Sequence, residues 1–122
     1  LNDNWLEMNI SEVTSGSGDT AFVRQYIGFD NLRQHYFLWS MATWSVTTQL
    51  YVGVWDEKTK SWAFSRKATV LHDGKPVSFE ATIRVSLEDE HRMVWELWEQ
   101  WYTREIHDGK AIKLWRKEFT RI

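Results

Sequence analysis

In the run "WELWEQWYTRE", Trp95 to Glu105, glutamates sit among tryptophans, and the chemistry open to this chain starts there. Side chains of a strand alternate between its faces, so Trp95, Leu97, Glu99 and Trp101 share one side and Glu96, Trp98, Gln100 and Tyr102 the other. Glu99 is then an ionisable group on an aromatic, apolar face. Such a carboxylate needs a cation or hydrogen-bond donors, because an isolated charge is costly to take out of water.

Turn chemistry supplies the partners. Asp73-Gly74 favours a two-residue type I′ hairpin, which pairs Val70 with Val77, Ala68 with Phe79, Arg66 with Ala81, Phe64 with Ile83 and Trp62 with Val85. The wholly polar loop Glu88–Arg92 then pairs Leu87 with Met93, Val85 with Trp95, Ile83 with Leu97, Ala81 with Glu99 and Phe79 with Trp101. A second Asp-Gly, Asp108-Gly109, read as the same turn, pairs Trp101 with Arg116, Glu99 with Glu118 and Leu97 with Thr120. The expected result is a lateral row of Arg66, Ala81, Glu99 and Glu118, with Arg116 one pair along. Phe64, Phe79, Ile83, Leu97 and Trp101 surround it, and Trp62 and Trp95 extend the aromatic lining.

Three chemistries fit this row. It is a salt-bridge network that fixes register, or a set of polar anchors in an apolar pocket. The third is the site of a small lyase or isomerase. There Glu99 or Glu118 acts as general acid or base, and Arg66 holds a substrate carboxylate. The expectation favoured here is non-enzymatic binding of a small, mostly apolar ligand whose acidic or hydrogen-bonding head lies near Arg66. No catalytic residue is assigned.

The opposite face gathers other aromatics in the same register. Trp98 meets Phe119, Tyr102 meets Trp115 and Glu96 meets Arg121. Such a cluster is either covered by a terminal segment and the stems of Lys113 and Lys117, or serves as a homodimer interface.

Other chemistry finds little support. Of the four histidines, His72, His91 and His107 fall at turns and His35 on a strand, and no pair has metal-ligand spacing, so no metal or cofactor is expected. No nucleophile elbow, Gly-rich phosphate loop or cysteine is present. Lys plus Arg (15) nearly balance Asp plus Glu (17), which lacks the basic excess that nucleic acid demands. No apolar run approaches the roughly 18 residues of a membrane helix. No leader-like segment is visible at Leu1, which favours a cytoplasmic location.

The elements that must position these residues are strands. Alternating segments fall near Trp5–Val13, Thr20–Phe29, Arg33–Met41, Val46–Trp55, Ser61–Leu71, Val77–Leu87, Met93–Ile106 and Ala111–Arg121. Between them lie "TSGSGD", "DN", "DEKTK", "HDGK", "EDEHR" and "HDGK" again; only Ala42–Ser45 lacks a turn marker. With 122 residues this predicts one domain, an all-β, antiparallel up-and-down barrel of about eight strands. Nine tryptophans suit an interior wider than a plain core requires.

The stretches "YVGVWDEKTKSW", "DGKPVSFEATIRV" and "WYTREIHDGKAIKLWRKEFTRI" together resemble bacterial lipocalin-like domains, a group described only as of unknown function. The resemblance runs from about Gln49 onward. It implies a calycin-type barrel with a Gly-x-x-Asp hairpin in mid-chain, here Gly53 and Asp56. It also implies a closing strand marked by Asp108, Gly109, Lys110, Glu118, Phe119, Thr120 and Arg121. The group's Gly-rich entry to that hairpin is replaced here by "MATWSV". A ligand-binding habit follows from the resemblance; no substrate or catalytic residue does.

Overall fold

The computed structural model describes residues 5–13, 20–42 and 49–120. Eight strands follow one another in sequence order as neighbours: β1 (Trp5–Val13), β2 (Thr20–Asp30), β3 (His35–Ala42), β4 (Gln49–Asp56), β5 (Ser61–His72), β6 (Lys75–Asp89), β7 (Arg92–Trp101) and β8 (Ile112–Thr120). The chain is thus all-β, in the antiparallel up-and-down order expected from its alternating segments. Among the described residues the only helical turn is the short 3-10 piece His107–Gly109. None of them forms a helix long and apolar enough to cross a membrane. The "TSGSG" loop and the unmarked connection at 43–48 lie outside the described residues, as does Arg121.

The chain divides into two compact units, Leu1–Gly53 and Val54–Ile122. In the first, one lateral row of β2, β3 and β4 carries Ile27, Leu38 and Tyr51, all buried. The adjacent row on the same face is polar: Gln25, Ser40 and Gln49. Gln25 is buried, and its Nε2 donates to Ser40 Oγ at 3.3 Å.

In the second unit the buried apolar side chains, among the described residues, are Phe64, Phe79, Ala81, Ile83, Val85, Val94 and Trp95. All but Val94 alternate on one face of β5, β6 and β7, because their registers place them opposite one another. The other face is polar and lightly tied: Ser65 to Thr82 at 3.2 Å, Thr69 to Ser78 at 2.9 Å and Lys67 to Glu80 at 3.9 Å.

Aspartates build the tight connections. Asp30 Oδ1 accepts from the backbone N–H groups of Leu32 and Arg33 at 2.9 and 3.1 Å. Asp56 Oδ1 does the same for Lys58 at 2.9 Å, and Asp89 Oδ1 for His91 at 2.7 Å. Each is an Asx turn, in which a short side chain satisfies N–H groups that the strand ends leave over.

The two "HDGK" tetrapeptides behave differently. At the first, Asp73 and Gly74 take φ of 50° and 76°, the two left-handed positions of a type I′ turn, and β5 pairs β6 in the register expected, from Val70–Val77 to Trp62–Val85. The β6–β7 register is also the expected one, from Leu87–Met93 to Phe79–Trp101. At the second, His107, Asp108 and Gly109 are all left-handed, at 51°, 54° and 68°, in a wide loop from Tyr102 to Ala111. The expected two-residue turn is not formed there. β7 stays with β6 to its end, where Tyr102 N–H donates to Ser78 O at 2.9 Å, while β8 begins only at Ile112.

That loop moves the last strand. Glu118 lies opposite Val94 rather than Glu99, and Arg116 opposite Glu96 rather than Trp101. From Glu99 to Val94 is a shift of five residues, an odd number, so the β8 residues from Arg116 to Thr120 change face, whereas a bulge between Leu97 and Trp98 makes the shift six for Ile112 and Lys113, which keep theirs.

Candidate functional site

Arg66, Ala81 and Glu99 occupy one lateral row of β5, β6 and β7, as their registers require. The fourth place belongs to Ile112 instead of Glu118. Both charged side chains are half-buried, and Ala81 between them is buried. The Arg66 guanidinium lies 5.5 Å from the centre of the Phe79 ring, the distance of a cation–π contact. Phe79 in turn stacks on Trp101, with ring centres 4.6 Å apart and planes inclined by 27°. The Trp101 indole N–H donates to Glu99 Oε1 at 3.2 Å. Arginine, two rings and a carboxylate are thereby linked in one contiguous set.

A second aromatic group continues along β5. Trp62 contacts Trp55 at 4.6 Å and lies over Phe64 at 6.4 Å. Trp62 is half-buried, whereas Phe64 is closed off from solvent. Trp95, fully buried opposite Val85, directs its indole N–H to Met93 Sδ at 2.8 Å and meets Phe119 edge-on at 6.2 Å. Of the nine candidate lining residues, seven share this face: Arg66, Glu99, Trp62, Phe64, Phe79, Trp95 and Trp101.

Glu118 and Arg116 do not. They point to the other side, where Arg92 donates to Glu118 Oε1 at 2.8 Å and Arg116 joins the same oxygen. The hydrogen bond from Arg92 first, then that from Arg116, holds the Glu118 carboxyl below its ordinary value. A carboxylate depressed in the folded state adds stability above its unfolded value of 4.5, and that stability is lost as pH falls through the lower folded value. The same direction holds for Asp30, beside Arg33, and for Glu57, beside Lys60. Glu118→Gln is therefore expected to lower the urea midpoint at neutral pH and to flatten the acid limb below 4.5, so that variant and native profiles converge at the most acidic pH. An unaltered acid limb would show that the Arg92–Glu118–Arg116 cluster contributes nothing.

The new register brings in a residue that turn reading missed. Lys117 stands opposite Trp95, on the aromatic face, and is half-buried. Burial lowers its ammonium pKa from the ordinary lysine value. The signal for it was Phe119, two residues on, whose apolar ring belongs with Met93 and Trp95 and carries Lys117 to the same side.

The outward aromatic cluster is also corrected. Phe119 is on the inner face with Trp95, Trp115 pairs with Leu97 in backbone register, and Tyr102 is exposed in the wide loop. Trp98 keeps its expected place on the polar face, under Lys113 Nζ at 5.7 Å. Lys113 also bonds Glu96 at 3.3 Å. The premise of a four-ring dimer surface fails with the register that produced it.

Comparison with protein-family models, curated proteins and solved structures finds no match for this chain.

Proposed function

We propose that the Arg66-bearing face of the second unit binds a small, mostly apolar molecule with an acidic head group. A lipocalin-like mode of binding, as the sequence resemblance suggests, is part of this reading. One observation carries it: half-buried charged side chains stand among packed rings, on the same face as a fully buried Phe64 and Trp95. Binding sites combine apolar walls with a few polar groups that fix orientation. Arg66 offers a planar fork of donors to a carboxylate, already aligned by the Phe79 ring. Lys117 adds a second cation beside Trp95, and Glu99, held by the Trp101 indole, accepts a hydrogen bond from a hydroxyl or protonated head. The rings supply apolar surface for the rest of the molecule.

The test is a panel of fatty and aromatic acids set against alcohols of the same skeleton. Binding is read from tryptophan fluorescence and from the rise in melting temperature. Acids are expected to bind more tightly than the alcohols. Arg66→Met should erase that preference, a loss of roughly tenfold or more for a charge-assisted hydrogen bond. The alcohols should bind the variant about as before. Equal binding of acids and alcohols to the native chain, or no response to any of them, would sink the proposal.

A further inference from the structure

The sequence places its histidines too far from one another for a metal site, but the wide β7–β8 loop creates a different grouping. It carries Glu105 to the tip of the β5–β6 hairpin. A ring nitrogen of His72 and one carboxylate oxygen each from Asp73 and Glu105 come within 4.8 Å of one another. His72 Nε2 and Asp73 Oδ2 are 3.6 Å apart. Two ligands bound at about 2.1 Å to one tetrahedral ion stand roughly 3.4 Å apart, so this pair already has coordination spacing. The three donors come from two chain segments. The loop is pinned where it leaves β7, by the Tyr102–Ser78 backbone hydrogen bond at 2.9 Å. Beside the cluster lies a groove of about 350 Å³ whose walls include His72, Ser78, Tyr102, Thr103 and Glu105.

We propose that His72, Asp73 and Glu105 bind a divalent transition-metal ion of the zinc class at the rim of this groove. Two carboxylates held this close repel each other at neutral pH, and a cation between them removes that repulsion. The donor set selects the ion. One imidazole and two carboxylates suit Zn²⁺, Co²⁺ or Mn²⁺, whereas Ca²⁺ and Mg²⁺ favour all-oxygen shells. Three protein ligands leave a tetrahedral ion one position for water or for a molecule lying in the groove. Asp73 serves both turn and site: its left-handed φ of 50° closes the hairpin and sets its side chain beside the preceding histidine. This site is independent of the Arg66–Glu99 row, which lies further along β5 and β6.

The experiment uses the full chain, stripped with a chelator and titrated with Zn²⁺ by calorimetry and with Co²⁺ by visible absorption. One equivalent is expected to bind saturably, with the intensified Co²⁺ spectrum of a low-coordinate ion. Glu105→Gln and Asp73→Asn keep size and turn preference while removing charge. His72→Gln removes the nitrogen. Each should weaken binding by at least about tenfold, because even outer partners of a metal site are worth that much. His91→Gln, which alters an exposed histidine at the β6–β7 turn, should change nothing. A native chain that binds no ion saturably would overturn the proposal. So would undiminished binding in Glu105→Gln and His72→Gln, or loss of binding in His91→Gln.

Discussion

Trp95→Ala is expected to lower the unfolding free energy by about 3–5 kcal/mol, the range for deleting a buried large aromatic side chain. Among the described residues Trp95 is the largest side chain with no exposure, and Val85, directly across in β6, has none either. Removing the indole takes away apolar surface, leaves a cavity that β6 and β7 cannot close without breaking their ladder, and strips Phe119 of its edge-on partner. The hydrogen bond to Met93 Sδ goes with it. Urea unfolding followed by circular dichroism measures the loss. A value under about 1 kcal/mol, the level of an ordinary surface change, would mean that Trp95 is not the centre of this core.

Leu38→Ala is the corresponding experiment in the first unit, with an expected loss of about 2–5 kcal/mol. Leu38 has no exposure and lies between Ile27 and Tyr51 in the buried row of β2, β3 and β4. Alanine leaves both neighbours facing a void. Leu32→Ala is the control. That leucine is 92% exposed on the β2–β3 turn, and its truncation should stay within roughly 0.5 kcal/mol. Equal losses at the two positions would contradict the burial of the row.

The sequence alone determined the antiparallel meander of strands and the two consecutive registers, β5–β6 and β6–β7, that set the faces of β5, β6 and β7. It could do so because every local signal there agrees. Asp73-Gly74 takes the two left-handed positions of a type I′ turn, the apolar residues on either side alternate in phase, and the loop Glu88–Arg92 contains nothing that could be buried. Arg66, Ala81 and Glu99 therefore stand in the row expected of them.

Only the tertiary structure decided where β8 lies, and with it the fate of Glu118, Arg116 and Lys117. The same tetrapeptide, "HDGK", closes a tight hairpin at one place and sits inside a wide loop at the other. Asp-Gly specifies that left-handed backbone is acceptable; it does not specify where the flanking strands stop. At the second site β7 remains paired to β6 as far as Trp101, stacked on Phe79, and the chain must travel through Glu105 before it can turn back. Packing then chooses the register. The expected one sends Arg116 and Glu118 towards Glu99 and leaves Phe119 outside, whereas the observed one packs the ring edge-on against Trp95 and returns both charges to the other face, where Glu118 accepts from Arg92 and Arg116. Burying an aromatic ring is favourable and burying three close charges is not, so a five-residue slip prevails over the shorter turn.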